Sequence, residues 1–104
     1  MNYLRFQGQV IAVKPLRYSP AGIAVCEAVL QHQSTVEQAS VPRQLNFEVD
    51  AIAMGDTAVL LSAVAEGQFL DIHGFIAPLR KSSSRLVLHI QSFQNHSATP
   101  NVLV

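Results

Sequence analysis

The sequence predicts an all-β fold, a small five-stranded barrel with one short helix between its third and fourth strands. Three observations carry this expectation. Five stretches are β-rich, most of them alternating apolar and polar residues; turns containing proline, glycine or serine separate them; and one stretch, between the third and fourth, carries helix-end signals instead. Length and composition agree, because 104 residues fit one domain and 49% hydrophobic against 13% charged residues provide a core. Residues 1–95 are expected to form that domain, and 96–104 a short tail that is a candidate for disorder.

The elements follow in order. Tyr3 to Val13 sets Leu4, Phe6, Gly8 and Val10 against Arg5, Gln7 and Gln9, the pattern of a half-buried first strand. Pro15 interrupts it, and Ser19-Pro20-Ala21-Gly22 supplies turn chemistry, so Lys14 to Gly22 is expected to be a loop. Ile23 to Ser34 is the second strand, and the polar, proline-containing Thr35 to Pro42 a connection. In the third, Gln44 to Met54, Leu45, Phe47 and Val49 alternate with Asn46, Glu48 and Asp50. Asp56 suits a helix N-cap and Gly67 the position after a last turn, with Val59, Leu60 and Ala63 as the apolar face between them. Gln68 to Ile76 and Arg85 to Phe93 are strands four and five, joined by Pro78 to Ser84. Three strands, a helix, then two strands is the order of the five-stranded OB-fold barrel, in which the helix plugs one end.

The formal net charge is zero, yet the charges are segregated. Arg5, Lys14 and Arg17 precede every acidic residue, and Arg80, Lys81 and Arg85 follow every one; all seven acids lie between, with Arg43 among them. A polyanion responds to local potential within about 10 Å, so two basic segments that meet in space suffice to attract it. Cys26 is alone and forms no internal disulfide, the N-terminus has no signal-peptide pattern, and no run reaches the roughly 20 apolar residues of a membrane-spanning helix. A cytoplasmic protein without a membrane partner is expected.

In an OB-fold the ligand lies across strands two and three, flanked by the loops between strands one and two and between strands four and five. Lys14, Arg17 and Tyr18 fall on the first of these, Arg80, Lys81 and Arg85 on or beside the second, and neither loop holds an acid. Single-strand binders pair such cations with aromatic platforms for bases. Tyr18 is the first stacking candidate; Phe47 is the second, although its face favours the core, and Phe6, Phe69 and Phe75 are read as core. Ser82 to Ser84 lend the second loop flexible polar groups. The four histidines have no ligand spacing, and Asp71 with His73 is read as a surface pair without a nucleophile beside it. Neither an enzyme nor a bound cofactor or metal is expected, and Cys26 is read as buried and inert.

Several stretches then match one family in order and spacing: Gly8-Gln9-Val10, Pro15-Leu16-Arg17, Ser19-Pro20-Ala21-Gly22-Ile23, Val29 to Ser34, Arg43-Gln44, Gly74-Phe75-Ile76 and Leu86-Val87-Leu88-His89. From Leu4 to about Phe93 the chain resembles the primosomal replication protein N (PriB) family, and Gly67 to Phe75 also resembles the fourth strand of bacterial single-stranded-DNA-binding proteins. The resemblance implies an OB-fold homodimer that binds single-stranded DNA and assists replication restart with the helicase PriA and, in some bacteria, with DnaT. It implies phosphate contacts by Arg80, Lys81 and Arg85 and by Arg17 or Lys14. The expected DNA-binding set is therefore Lys14, Arg17, Tyr18, Arg43, Phe47, Arg80, Lys81 and Arg85. Departures point the other way: a tryptophan expected two positions after the Arg-Gln pair is Asn46 here, Gln33 replaces a common basic residue, and the second loop is short. They keep open an alternative, a protein-interaction adaptor that recruits the restart helicase and binds DNA weakly.

Overall fold

The structure is a computed structural model that describes residues 1–96. Its strands are β1 (Leu4–Val13), β2 (Arg17–Tyr18), β3 (Ala24–Gln38), β4 (Val41–Met54), β5 (Phe69–Pro78) and β6 (Leu86–Asn95), with one helix, α1 (Asp56–Ser62). The sheet runs β1-β5-β6-β4-β3-β2, and β1 also pairs with β3, which closes a barrel of five strands with β2 as a short flap on β3. The closure depends on β1 changing partner: Leu4 to Gln9 pair with β5, and Gln9 to Val13 with β3. A register irregularity between Val10 and Ala12 marks the bend. The parallel pairing of β4 with β6, Ala51 opposite Leu88 to Ala53 opposite Ile90, completes the circuit.

The expected five long strands are present, and two boundaries differ. Lys14 to Gly22 is not wholly loop: Arg17 and Tyr18 pair with Val25 and Ala24. In consequence the helix lies between the fourth and fifth strands, not between the third and fourth. Thr35 to Pro42 is not a loose connection either. Strand pairing runs out to Gln38 opposite Val41, and the turn is only Ala39-Ser40, both left-handed at φ 54° and 65°. Consecutive positive φ values define the two-residue hairpin turn whose twist matches its strands, so polar composition there reflects an exposed hairpin rather than a loop. Pro42 is tolerated because this part of the hairpin reaches past the barrel wall.

The helix is shorter and rotated relative to expectation. Gly55, at φ 71°, occupies the cap position and Asp56 is already helical, with no side-chain cap bond. Ala58 and Leu61 are buried while Val59 and Leu60 are exposed. In a run of four apolar residues periodicity does not fix the buried face; the entry of the chain through Gly55 does. Within the barrel Val10, Cys26, Ala28, Leu30, Ala51, Ala53, Leu70, Ile72, Leu88 and Ile90 form the core, closed at one end by Ala58 and Leu61. Burial raises the pKa of the Cys26 thiol, in keeping with an inert cysteine. The expected tail from residue 97 lies outside the described residues, whereas the His96 amide still donates to the Phe69 carbonyl at 2.8 Å.

Candidate nucleic-acid interface

Register decides which side chains share a face, since directly paired residues point the same way and successive ones alternate. On the outer face of β2, β3, β4, β6 and β5, Arg17 lies beside Val25 and Met54; Glu27 beside Ile52, His89 and Phe75; and Val29 beside Asp50. Val25, Ile52 and Val87 form a small buried apolar cluster there, separate from the core. Met54 is exposed, and the Phe75 ring stacks on His89 at 4.7 Å and 10°. A shallow cavity of about 260 Å³ opens among Ile52, Met54, Phe75 and His89. The result is an apolar, partly aromatic floor.

The two basic loops stand on opposite rims of this floor. On one side Arg17 donates to Glu27 at 2.7 Å, with the Lys14 ammonium 3.9 Å from the other oxygen of that carboxylate. On the other side Arg85, just before β6, pairs with Asp50, and Arg80 and Lys81 are exposed in the β5–β6 turn, where the Ser83 amide donates to the Arg80 carbonyl. Three of the expected cations thus make ion pairs with acids of the strand floor.

Tyr18, Arg43 and Phe47 do not share that face. Tyr18 is 63% exposed but paired with Ala24, so it points to the other side of the sheet from Arg17. Phe47 is paired with His32, on the side that becomes the core further down the hairpin. It is nevertheless 42% exposed, because β3 and β4 continue past the barrel there, and the expected core placement does not hold. Instead Phe6, His32 and Phe47 make an aromatic cluster, with Phe6 stacked on His32 at 4.4 Å. His32 is fixed by donating Nδ1–H to the Gln7 carbonyl at 2.6 Å while Nε2 accepts from the Ser34 hydroxyl at 2.7 Å. Arg43 donates to Gln38 at 2.6 Å within the hairpin end. Asn46 faces outward and is hydrogen-bonded to Gln31.

Three further expectations are corrected by the same geometry. Phe75 is on the outer floor, not in the core, because Leu70, Ile72 and Ile76 take the inward positions of β5 and Phe75 alternates with them. Phe69 is exposed at the start of β5, whereas Phe6 is half-buried and packs against the core as expected. Asp71 is not a surface group: it is 3% exposed on the far side of the barrel, where Arg5 donates to both its oxygens, at 2.9 and 2.5 Å. The missed features are the Phe75–His89 stack and Met54. Their signal was the pairing of two ordinary strand residues, which becomes visible only once the β5–β6 register is known.

Fold and surface together define a single-strand-binding type of barrel. Residues 2–92 match the model of a family described as "another single-strand binding protein family". The chain is 37% identical over 91 residues to the replication restart protein PriB of Bordetella pertussis, covering 88% of this chain and 85% of that protein. It is 34% identical to PriB of Nitrosomonas europaea, over 86% of this chain and 83% of that one. The crystal structure of PriB from Ralstonia solanacearum superposes with a TM-score of 0.84 at 29% identity, covering 92% and 98% of the two chains. The single-stranded DNA binding protein of Thermus aquaticus shares the fold, with a TM-score of 0.76 at 15% identity over 94% of this chain and 51% of that one. The chain belongs to the PriB family of replication restart proteins.

Proposed function

We propose that this chain is a non-catalytic accessory protein of replication restart that binds single-stranded DNA across the outer floor of β3, β4 and β6. The observation that carries the reading is the placement of two basic loops, distant in sequence, on opposite rims of one apolar and aromatic strip. Lys14 and Arg17 on one rim, and Arg80, Lys81 and Arg85 on the other, bind phosphates and release their counterions. The Phe75–His89 stack, Met54 and Ile52 receive the bases, without a sequence preference, since every base has a π-face. Tyr18, which faces the other side of the sheet, contacts only a strand that passes round the edge at β2. Arg43 and Phe47 contact only a strand long enough to pass round the hairpin. The protein works in the cytoplasm as a homodimer, in a primosome that contains PriA and in some bacteria DnaT; these partners follow from the family resemblance.

A fluorescence-anisotropy titration with oligo-dT tests the reading. The R80A/K81A/R85A variant is expected to lose most binding while keeping the wild-type melting curve; unchanged affinity contradicts it. The ion pairs of Arg17 and Arg85 favour a second reading, an adaptor that recruits the helicase and binds DNA weakly. Helicase capture that persists in high salt, with oligo-dT affinity only in the millimolar range, supports the adaptor.

A further inference from the structure

Two acids beside the apolar strip of the outer face are placed where a binder of polyanions has least use for them, while Glu48 lies further along β4 opposite Gln31. Glu27 and Asp50 project from β3 and β4, the rigid part of the site, and each is held by cations from a loop: Glu27 by Arg17 at 2.7 Å and Lys14 at 3.9 Å, Asp50 by Arg85. The cation side chains are 56–72% exposed, while the carboxylates are 28% and 37% exposed. The anions are therefore the fixed, more shielded partners and the cations the accessible ones. Nothing in the barrel requires these acids for burial or capping; both stand on the exposed face beside Ile52 and Val29. By contrast Asp71, the acid that is buried, lies on the far side of the molecule with Arg5.

From this arrangement we infer that Glu27 and Asp50 are internal counter-anions that hold the phosphate-binding cations in the free protein, so that single-stranded DNA binds by exchanging phosphate for carboxylate. The inference rests on the outer-face reading given above and deepens it by naming the residues that set affinity and release. Two consequences follow from elementary electrostatics. First, a phosphate that docks on Arg85 leaves Asp50 unpaired a few ångströms from the strand, and one that docks on Arg17 leaves Glu27 with only the Lys14 ammonium at 3.9 Å, which weakens binding and shortens the residence time. Second, a carboxylate that loses its guanidinium takes up a cation from solution. That uptake offsets the counterion released by the phosphate, so these contacts add little to the salt dependence, and the slope is carried mainly by Arg80 and Lys81. A strand held in this way is exchanged readily for another partner.

The test is oligo-dT binding at two salt concentrations for the wild type, E27Q, D50N and E27Q/D50N. The substitutions are isosteric and on the surface, and melting curves verify the fold. Affinity of the double variant at low salt is expected to rise about five- to twentyfold, since exposed ion pairs contribute roughly a factor of two to five each. The salt slope should steepen toward an additional ~0.7 per freed phosphate contact. A wild type too weak to measure and a double variant that binds would support the exchange equally. If the wild type binds and the variants match it in affinity and slope, the exchange is overturned while the outer-face site stands. If neither wild type nor any variant binds single strands, both fall.

Discussion

Asp71 joins β1 to β5 through the one buried carboxylate among the described residues, and its chemistry has a definite sign. Hydrogen bonds donated by Arg5 hold its carboxyl below the usual carboxylate range and raise the guanidinium in turn, against the cost of burial. A carboxyl depressed in the folded state stabilises fully above its unfolded pKa of about 3.9, and that contribution is lost as pH falls through the lower folded value. Urea midpoints of wild type and D71N should therefore differ most at neutral pH and converge as the pH drops below about 4; parallel curves contradict this. Gly74 is constrained in another way. A β-carbon there would lie 1.9 Å from the His89 carbonyl oxygen, a backbone atom, so G74A should cost about 1–3 kcal/mol or more by overpacking. A urea melt that matches wild type would contradict it. On the outer floor, F75A should weaken oligo-dT binding about five- to a hundredfold, the range of one lost base stack, at a stability cost of about 0.5–1.5 kcal/mol for the lost pair with His89.

At the level of elements, the hairpin of β3 and β4 makes a prediction from its turn. Ala39 and Ser40 adopt left-handed angles that cost L-residues of this kind on the order of 1 kcal/mol each, and Asn-Gly is the sequence that such turns prefer. A39N/S40G should raise stability by about 1 kcal/mol in a urea titration; a lower midpoint would show that the turn differs. The same turn explains what the sequence conceals. Five long strands and one helix were legible because period-two alternation in segments such as Leu4 to Val10 reflects one buried face. The hairpin end beyond His32 and Phe47 has no barrel behind it, so its residues are mostly polar, its Val36 and Val41 stay exposed, and no regular alternation marks Thr35 to Pro42 as strand. The helix face was hidden for a related reason, since Ala58 to Leu61 is apolar throughout and only the turn at Gly55 sets its phase. At the site, the cations of the two loops were legible from the OB-fold order. Their partners Glu27 and Asp50, and the Phe75–His89 stack, were not, because each depends on cross-strand register.

For the molecule as a whole, the charge segregation along the chain is resolved by folding into three separate arrangements. Arg5 is consumed by Asp71 on one side of the barrel, Lys14, Arg17 and Arg85 are held by acids of the outer floor, and Arg80 and Lys81 are exposed at its rim with no acid paired to them among the described residues. A neutral chain thereby presents one basic-rimmed surface, and a second, aromatic one at Phe6, His32 and Phe47. Single-stranded DNA is assigned to the first. The most direct test is a map of backbone amide shifts in a two-dimensional NMR spectrum as a short oligo-dT is added at low salt. The account predicts shifts concentrated at Arg17, Val25 to Glu27, Ile52 to Met54, Phe75 and Arg80 to His89. Shifts confined to Phe6, His32 and Phe47, with the basic-rimmed floor unchanged, would contradict it.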